Sequence, residues 1–405
     1  MKKKRNIFQS IKKRITKGKN KFNIMEAISF MVVTFALGMI AGGIIMYGKE
    51  SYKGNKDGTL NDFIDTYNDI LNNYYQPVDG DKLLSAGIEG MVRYLGDPYS
   101  MYLDQEETEN FNISLDGKYS GIGAEIQYVT ETDEVKIINI YKNSPAEKAG
   151  LLKDDIILKV NDKEVKGLSL SEVSNQVKGQ EETEVKITVR RNNEELDFTL
   201  NRGTVDLPSV SGEIIESNGK KIGYIYVSVF AENTDQQFKD EVERLEKDNI
   251  DSLIIDLREN SGGHLKTVTN MISMFVKKGE LIYKLKTKDN VEEFKDTSDE
   301  QRTYPVVVVI DGNSASASEV FTAALKESYG ATVVGNTSFG KGKVQKAYGL
   351  SNGAMIKYTY QEWLTPKGNY IDGVGIKPDV EVNYEHKDGS KYDSQISKAI
   401  SILDK

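Results

Sequence analysis

Residues 27–47 run for 21 positions without a charge. As a helix rising 1.5 Å per residue, this segment is about 30 Å long, the thickness of a bilayer core. A surface helix of a globular domain needs a polar face, so the stretch predicts a membrane span and divides the chain. The first 25 residues hold ten Lys/Arg and no acid, and such flanks stay on the cytoplasmic side. The sequence therefore predicts a basic cytoplasmic tail (1–25), a single-pass anchor in the cell membrane (26–47) and an extracytoplasmic remainder. A cleaved signal peptide is the competing reading, but its apolar stretch is typically about 7 to 15 residues long. Gly38 and Gly42 form a GxxxG pair, which fits helix dimerisation and equally the ordinary abundance of glycine in membrane spans.

The net charge of −9 conceals this asymmetry: without the tail's ten positive charges, the other 380 residues carry −19. A uniformly basic nucleic-acid binder does not look like this, and no nucleic-acid partner is expected. With 0 Cys, disulfides, thiolate metal sites and cysteine nucleophiles are excluded. The 2 His, His264 and His386, are far apart and no HExxH is present. No metal or cofactor is expected, and a Ser-His-Asp triad would have to use one of those two histidines.

From residue 61 to about 102 apolar residues recur at spacings of three and four: Phe63, Ile64, Tyr67, Ile70, Leu71 and Tyr74, then Leu83, Leu84, Ile88, Met91, Val92 and Leu95. Two amphipathic helices are predicted, the second ended by Gly96-Asp97-Pro98. This helical region (48–112) is too small to bury a core alone, so it is expected to pack on the rest of the enzyme or on a second copy in a homodimer.

The period changes over residues 119–201. Strands are predicted at 122–129, 135–140, 156–160, 185–190 and 196–200, with a capped helix at Ser144-Pro145-Ala146-Glu147 and another over 169–177. In order and spacing these elements (113–203) resemble a circularly permuted PDZ domain of bacterial proteases. Its sharpest part is Tyr119-Ser120-Gly121-Ile122-Gly123-Ala124-Glu125-Ile126. In that family such a loop turns backbone N–H groups toward a peptide's C-terminal carboxylate, and the strand after it pairs with the peptide. The resemblance implies peptide binding by Gly121, Ile122, Gly123 and Ala124.

From residue 222 onward strands and helices alternate. Strands are predicted at 222–229, 253–257, near Ile282 and at Val306–Ile310. A helix follows Thr234, which with Gln237 reads as a capping box, and another covers about 265–275. Apolar runs bounded by helices indicate strands buried on both faces, so residues 204–382 predict an α/β layer fold. Chemistry in such folds sits beyond the carboxyl ends of the strands. The segment after 383 is charged, and its amphipathic run 396–403 reads as a helix that docks on the N-terminal pair.

After Ile310 the chain reads Asp311-Gly312-Asn313-Ser314-Ala315-Ser316-Ala317-Ser318-Glu319. Three serines thus lie between a buried strand and a helix N-terminus, where unpaired N–H groups favour negative charge. Ser and Glu three apart also simply cap helices. Twenty-five residues past Ser316 stands Phe339-Gly340-Lys341-Gly342-Lys343-Val344-Gln345. A serine nucleophile needs a base, and with histidine scarce the remaining common choice is a neutral lysine. Free lysine titrates near ~10.4 and a useful base at about 7 to 8, so the fold must take water from the amine. Small residues such as Gly340 and Gly342 would allow that packing.

Together with Asp256-Leu257-Arg258-Glu259-Asn260-Ser261-Gly262-Gly263, Leu364-Thr365-Pro366 and Asp372-Gly373-Val374-Gly375-Ile376-Lys377-Pro378-Asp379, these motifs resemble the carboxyl-terminal processing, or tail-specific, proteases. These are serine peptidases with a Ser-Lys dyad and a PDZ domain inserted beside an α/β core of crotonase-like architecture. The resemblance runs from about residue 60 to 382. It implies Ser316 as nucleophile, Lys341 as general base, Gln345 as the residue holding the lysine amine, and an oxyanion hole from the N–H of Ala317 and of Gly262 or Gly263. It further implies protein or peptide substrates with accessible C-termini, and a PDZ domain that gates the site, with Arg190 or Arg191 as sensor.

One departure is Ser261, where the family usually has proline; serine loosens the turn without removing its donors. His264 beside it plays no part in the family mechanism. The competing functional readings are an inactive PDZ scaffold, against which the retention of Ser316, Lys341 and Gln345 argues, and thioester chemistry of the crotonase type, for which no acid/base pair is present.

Overall fold

The structure, a computed structural model, describes residues 60–386 and 388–405. The uncharged run 27–47 and its GxxxG pair lie outside the described residues. Among the described residues no helix is long and apolar enough to cross a membrane.

The chain divides into two compact units after Gly87. In the first, α1 (Leu60–Asn73) and the start of α2 (Gly80–Tyr94) meet through Phe63, whose ring tip would lie 2.9 Å from a Cβ at Gly87, and through a hydrogen bond from the Tyr67 hydroxyl to the Gly80 carbonyl. Leu60, Ile64 and Met91 remain exposed.

In the second unit, β1 (Met101–Leu103) is followed by α3 (Gln105–Asp116), a helix that the periodicity reading passed over. Its signals are local rather than periodic. Asp104 and Glu107 form a reciprocal capping box, and Gly117 closes the helix in the left-handed region at φ 66°. β2 (Lys118–Gly121) pairs with β9 (Gly203–Asp206), making a two-stranded ribbon through which the chain enters and leaves the PDZ-like domain.

That domain has strands β3 (Ala124–Val129), β4 (Glu134–Ile140), β5 (Ile156–Val160), β6 (Lys163–Glu164), β7 (Glu184–Arg191) and β8 (Glu194–Asn201). Helix α4 (Pro145–Ala149) starts at Ser144, whose hydroxyl accepts the Glu147 N–H, and α5 (Leu170–Val177) starts at Ser169. Alternate residues Val185, Ile187 and Val189 of β7 point into the core with Ile137, Val160 and Val173. The strand order is β3-β4-β5-β7-β8, leaving β3 on an edge.

The core sheet is built from β10 (Val210–Ser217), β11 (Lys220–Val227), β12 (Ser252–Asp256), β15 (Val306–Ile310), β16 (Thr332–Gly335) and β19 (Val380–Glu381), in that spatial order. It is parallel apart from the β10–β11 pair. Its two faces explain the continuous apolar runs. Val306, Val308 and Ile310 join the core made with α6 (Thr234–Lys247), α7 (Leu265–Ile272) and α8 (Ala317–Ala324), while Val307 and Val309 face α9 (Ser394–Leu403). A strand covered on both sides needs apolar residues at every position.

Two expectations are corrected here. Helix α9 forms, but Ile396, Ala399 and Leu403 pack on the sheet's second face with Ile222, Ile254 and Val334, so its apolar face is used there and not by the N-terminal pair. Thr234 is not the cap of α6. The capping position is Asn233, and the buried Thr234 hydroxyl instead binds the Ala231 N–H and Ser209, while Gln237 reaches back to Leu207 and Ser209. A second sheet, β1-β18-β13-β14 with β17 beside β18, comprises β13 (Leu281–Lys286), β14 (Val291–Lys295), β17 (Lys343–Gly349) and β18 (Met355–Leu364).

Candidate active site

The loop after β15 turns directly into α8, and the turn is made at Ser316, whose φ of 54° and ψ of −111° lie where a non-glycine residue is strained. Such backbone costs roughly 1 to 3 kcal/mol and persists only where its surroundings over-determine it. Here they do. The buried hydroxyls on either side are tied to the loop after β12: Ser314 donates to the Leu257 carbonyl and Ser318 to the Asn260 carbonyl, each at 2.8 Å. Of the three serines only Ser316 lines the adjacent cleft of about 560 Å³.

Asn260, fully buried, organises the loop that faces this turn. Its side-chain amide donates to the Val227 carbonyl, its Oδ1 accepts the Gly262 N–H at 2.9 Å, and its own carbonyl also accepts the Ala315 N–H. Ser261 therefore does not leave the glycines unanchored. A Cβ on Gly262 would lie 2.9 Å from Ser316 Cβ and 2.8 Å from the Ala315 carbonyl oxygen; one on Gly263 would lie 2.2 Å from the Phe230 carbonyl. Only glycine permits these approaches. Phe230 pairs with Gly263 through the Gly262 carbonyl and the His264 N–H, which leaves the N–H of Gly263 itself on the opposite side of the strand.

Lys341 sits on the loop before β17. The loop is clamped by Trp363 Nε1, which donates to the Lys341 carbonyl at 2.9 Å, and by the turn Asp372-Gly373-Val374-Gly375, whose Gly373 N–H donates to the Gly340 carbonyl. The glycines flanking the lysine are packed against that turn rather than around the amine: a Cβ at Gly342 would meet Asp372 at 2.8 Å. The Lys341 ammonium lies over the Tyr99 ring, 5.3 Å from its centroid. Burial lowers its pKa, while Glu319 and Asp97 pull the other way. No ion pair to it exists among the described residues.

The residue that joins the two loops is Glu319. Its buried carboxylate accepts the Ser316 N–H, the Ser338 hydroxyl and the N–H groups of Gly340 and Lys341, at 2.6 to 2.8 Å. Burial raises its pKa against the opposing pull of those hydrogen bonds. Capping explains only the first contact. The others span 19 to 22 residues of sequence, which no spacing rule reveals.

Gln345 lines the same cleft, with its Nε2 donating to Thr359 Oγ1 at 3.2 Å. Ala317, Gly262 and Gly263 are there as well. So are Phe111, Ser114 and Leu115 of the unanticipated α3, together with Lys357.

The PDZ residues form a separate groove of about 210 Å³ between β3 and α5. Gly121, Ile122 and Ala124 line it; Gly123 does not, and a Cβ there would lie 2.2 Å from Ser144 Cβ. The groove's mouth holds Ile113, again from α3. Both sensor candidates are engaged within the PDZ domain: Arg190 pairs with Glu134, and Arg191 forks onto the buried Asp155.

The cleft thus brings together a strained serine turn, a buried lysine and a glycine loop. In sequence comparison, "Peptidase family S41" matches residues 221–382, "PDZ domain" residues 121–201, and "Activating protease CtpB N-terminal domain" residues 43–107. A "Probable CtpA-like serine protease" of Staphylococcus aureus (strain COL) is 38% identical over 359 residues, covering 88% of this chain and 71% of its own. The protein of that description from Staphylococcus epidermidis is 35% identical over 363 residues, covering 89% and 73%. The chain belongs to the carboxyl-terminal processing proteases, serine-type peptidases that carry a PDZ domain. Among solved structures, the photosystem II D1 C-terminal processing protease is similar at 26% identity, with 80% of this chain and 87% of that one covered and a TM-score of 0.47.

Proposed function

We propose that the protein is a membrane-anchored endopeptidase that cleaves by a Ser316–Lys341 dyad through an acyl-enzyme. Neutral Lys341 takes the Ser316 proton, Ser316 attacks the peptide carbonyl, the amine leaves with a proton, and water releases the acyl group. The observation that carries this reading is the pairing within one cleft of the single cleft-facing serine of its loop with a buried lysine that has no ion pair among the described residues. For the oxyanion, the hydrogen-bond pattern favours Ala317, at the first turn of α8, together with Gly263, since the Gly262 N–H is taken by Asn260. Gln345, hydrogen-bonded to Thr359, would steady the lysine's wall.

The PDZ groove takes the substrate's C-terminus, with the open edge of β3 pairing to the peptide. Gating fits the position of α3, which presents Ile113 to that groove and Phe111, Ser114 and Leu115 to the cleft. A ligand that displaces Ile113 moves the helix forming the cleft wall. The anchor is the uncharged run 27–47, placing the catalytic part outside the cell membrane, and the helical region 48–112 is the surface for a homodimer.

Ser316→Ala and Lys341→Ala should each abolish cleavage of an unfolded protein while leaving PDZ–peptide binding intact. Undiminished cleavage by the Ser316→Ala protein would end the assignment. Membrane fractionation of full-length chain, with protease accessibility from outside, tests the anchor.

A further inference from the structure

Three lysines, Lys341, Lys343 and Lys357, stand in the walls of the cleft holding Ser316, and among the residues lining it there is no Asp or Glu. Two of the three lysines have partners or a role. Lys343 is ion-paired with Glu362 and Asp372, and Lys341 is the base of the proposed dyad. Lys357 remains.

It projects from the middle of β18, at the level of Ala347 on β17 and Met101 on β1. Its ammonium lies over the Phe111 ring of α3, 4.8 Å from the centroid, and no ion pair to it exists among the described residues. Of the acids on the neighbouring elements, Glu106, Glu107, Glu109 and Asp116 of α3 are exposed, with Glu107 returning to the Asp104 N–H, and Glu362 of β18 is held by Lys343. The strands on either side, β1 and β17, carry no Asp or Glu. Burial first, and the nearby Lys341 second, lower the amine's pKa. A half-buried cation supported only by an aromatic face lacks the counter-ion that would offset its desolvation. Phe111 covers one side of the ammonium and takes part of its water away, which strengthens any ion pair formed there.

We infer that Lys357 is a specificity-determining residue that receives a carboxylate of the substrate inside the cleft. The inference rests on Ser316 being the nucleophile of this cleft. The carboxylate has two possible sources, an Asp or Glu side chain close to the cleaved bond, or the α-carboxylate of a chain end drawn into the cleft.

The test uses full-length protein in detergent and matched fluorogenic peptides that differ only in Glu against Gln, or Asp against Asn, around the cleaved bond, each with a free or an amidated C-terminus. Wild type should favour the acidic peptide by about 10-fold or more in kcat/KM, the scale of one charge-assisted contact. Lys357→Met should bring that ratio close to one, Lys357→Arg should keep it, and Lys357→Glu should favour peptides carrying Lys at the same position. Loss of discrimination on amidation, with indifference to the side chain, identifies the α-carboxylate as the source. A ratio that survives in Lys357→Met overturns the inference, as does a wild type that labels with fluorophosphonate and cleaves without discriminating. A wild type that neither labels nor cleaves overturns the dyad along with it. Fluorophosphonate labelling of the Lys357 variants verifies that their nucleophile is assembled, and Lys357→Arg carries the comparison if the Met variant does not fold.

Discussion

Ser316 and Lys341 donate their main-chain N–H groups to one and the same oxygen, Oε2 of Glu319, each at 2.8 Å. A buried carboxylate thereby ties the two loops together, beside the direct bond from the Phe339 N–H to the Ser314 carbonyl. Since Glu319 is the third residue of α8, the placement of Ser316 and Lys341, the proposed dyad, is referenced to that helix.

Replacing Glu319 by Gln keeps one acceptor and substitutes two N–H donors for the other. Whichever way the amide turns, donors that now share a carboxylate oxygen face a nitrogen. We expect kcat/KM to fall by about 100-fold, close to 3 kcal/mol, because the loops separate. The melting temperature should shift by only a few degrees, since the substitution also removes a desolvated charge. Steady-state kinetics beside calorimetry reads both; unchanged kinetics would refute the clamp.

The pH dependence follows from the direction of the Lys341 shift. Burial lowers its pKa, so kcat/KM should rise with pH through a range below the ~10.4 of free lysine. The corresponding stability penalty is full below the folded-state pKa and disappears as pH climbs past the unfolded value, because the unfolded chain binds more protons between the two. Lys341→Met should therefore stabilise the protein by about 1 kcal/mol at pH 7 and progressively less toward pH 10. Urea titrations at the two pH values check the sign, and an advantage that grew with pH would contradict it.

At Gly262 a methyl group meets backbone on one side and the nucleophile on the other, at a φ of 111°. Gly262→Ala should cost roughly 2 kcal/mol of stability and most of the fluorophosphonate labelling. Full labelling at normal speed would show that the two loops do not touch as described.

Ile113 tests the link between groove and cleft. Its truncation to Ala should blunt the response of cleavage to an added PDZ-binding peptide several-fold, measured with a short substrate unable to span both sites. Stimulation of normal size in the Ala protein would place the coupling in another element.

Much of this architecture was legible in the sequence because burial leaves a period. Val185, Ile187 and Val189 alternate, Val306–Ile310 does not, and each pattern matches the number of faces its strand buries. The order of the motifs identified the family. Helix α3 escaped because it is half-exposed and lacks an apolar stripe, although its Asp104–Glu107 box and Gly117 were readable. Glu319 and Asn260 were seen only as neighbours of the serines and glycines, since their bonds cross between loops that are distant in sequence. Lys357 carries no local signal at all, being one lysine in a strand until the fold sets it over Phe111.

Helix α9 reaches the site through Arg258. Ile396, Ala399 and Leu403 close the second face of the sheet, and Asp393 and Gln395 hold Arg258, two positions before the asparagine that organises the glycine loop. Without residues 393–405 the sheet would expose this apolar face and leave that arginine's outer bonds unmade. The site therefore depends on this segment, and removal of residues 393–405 should silence it.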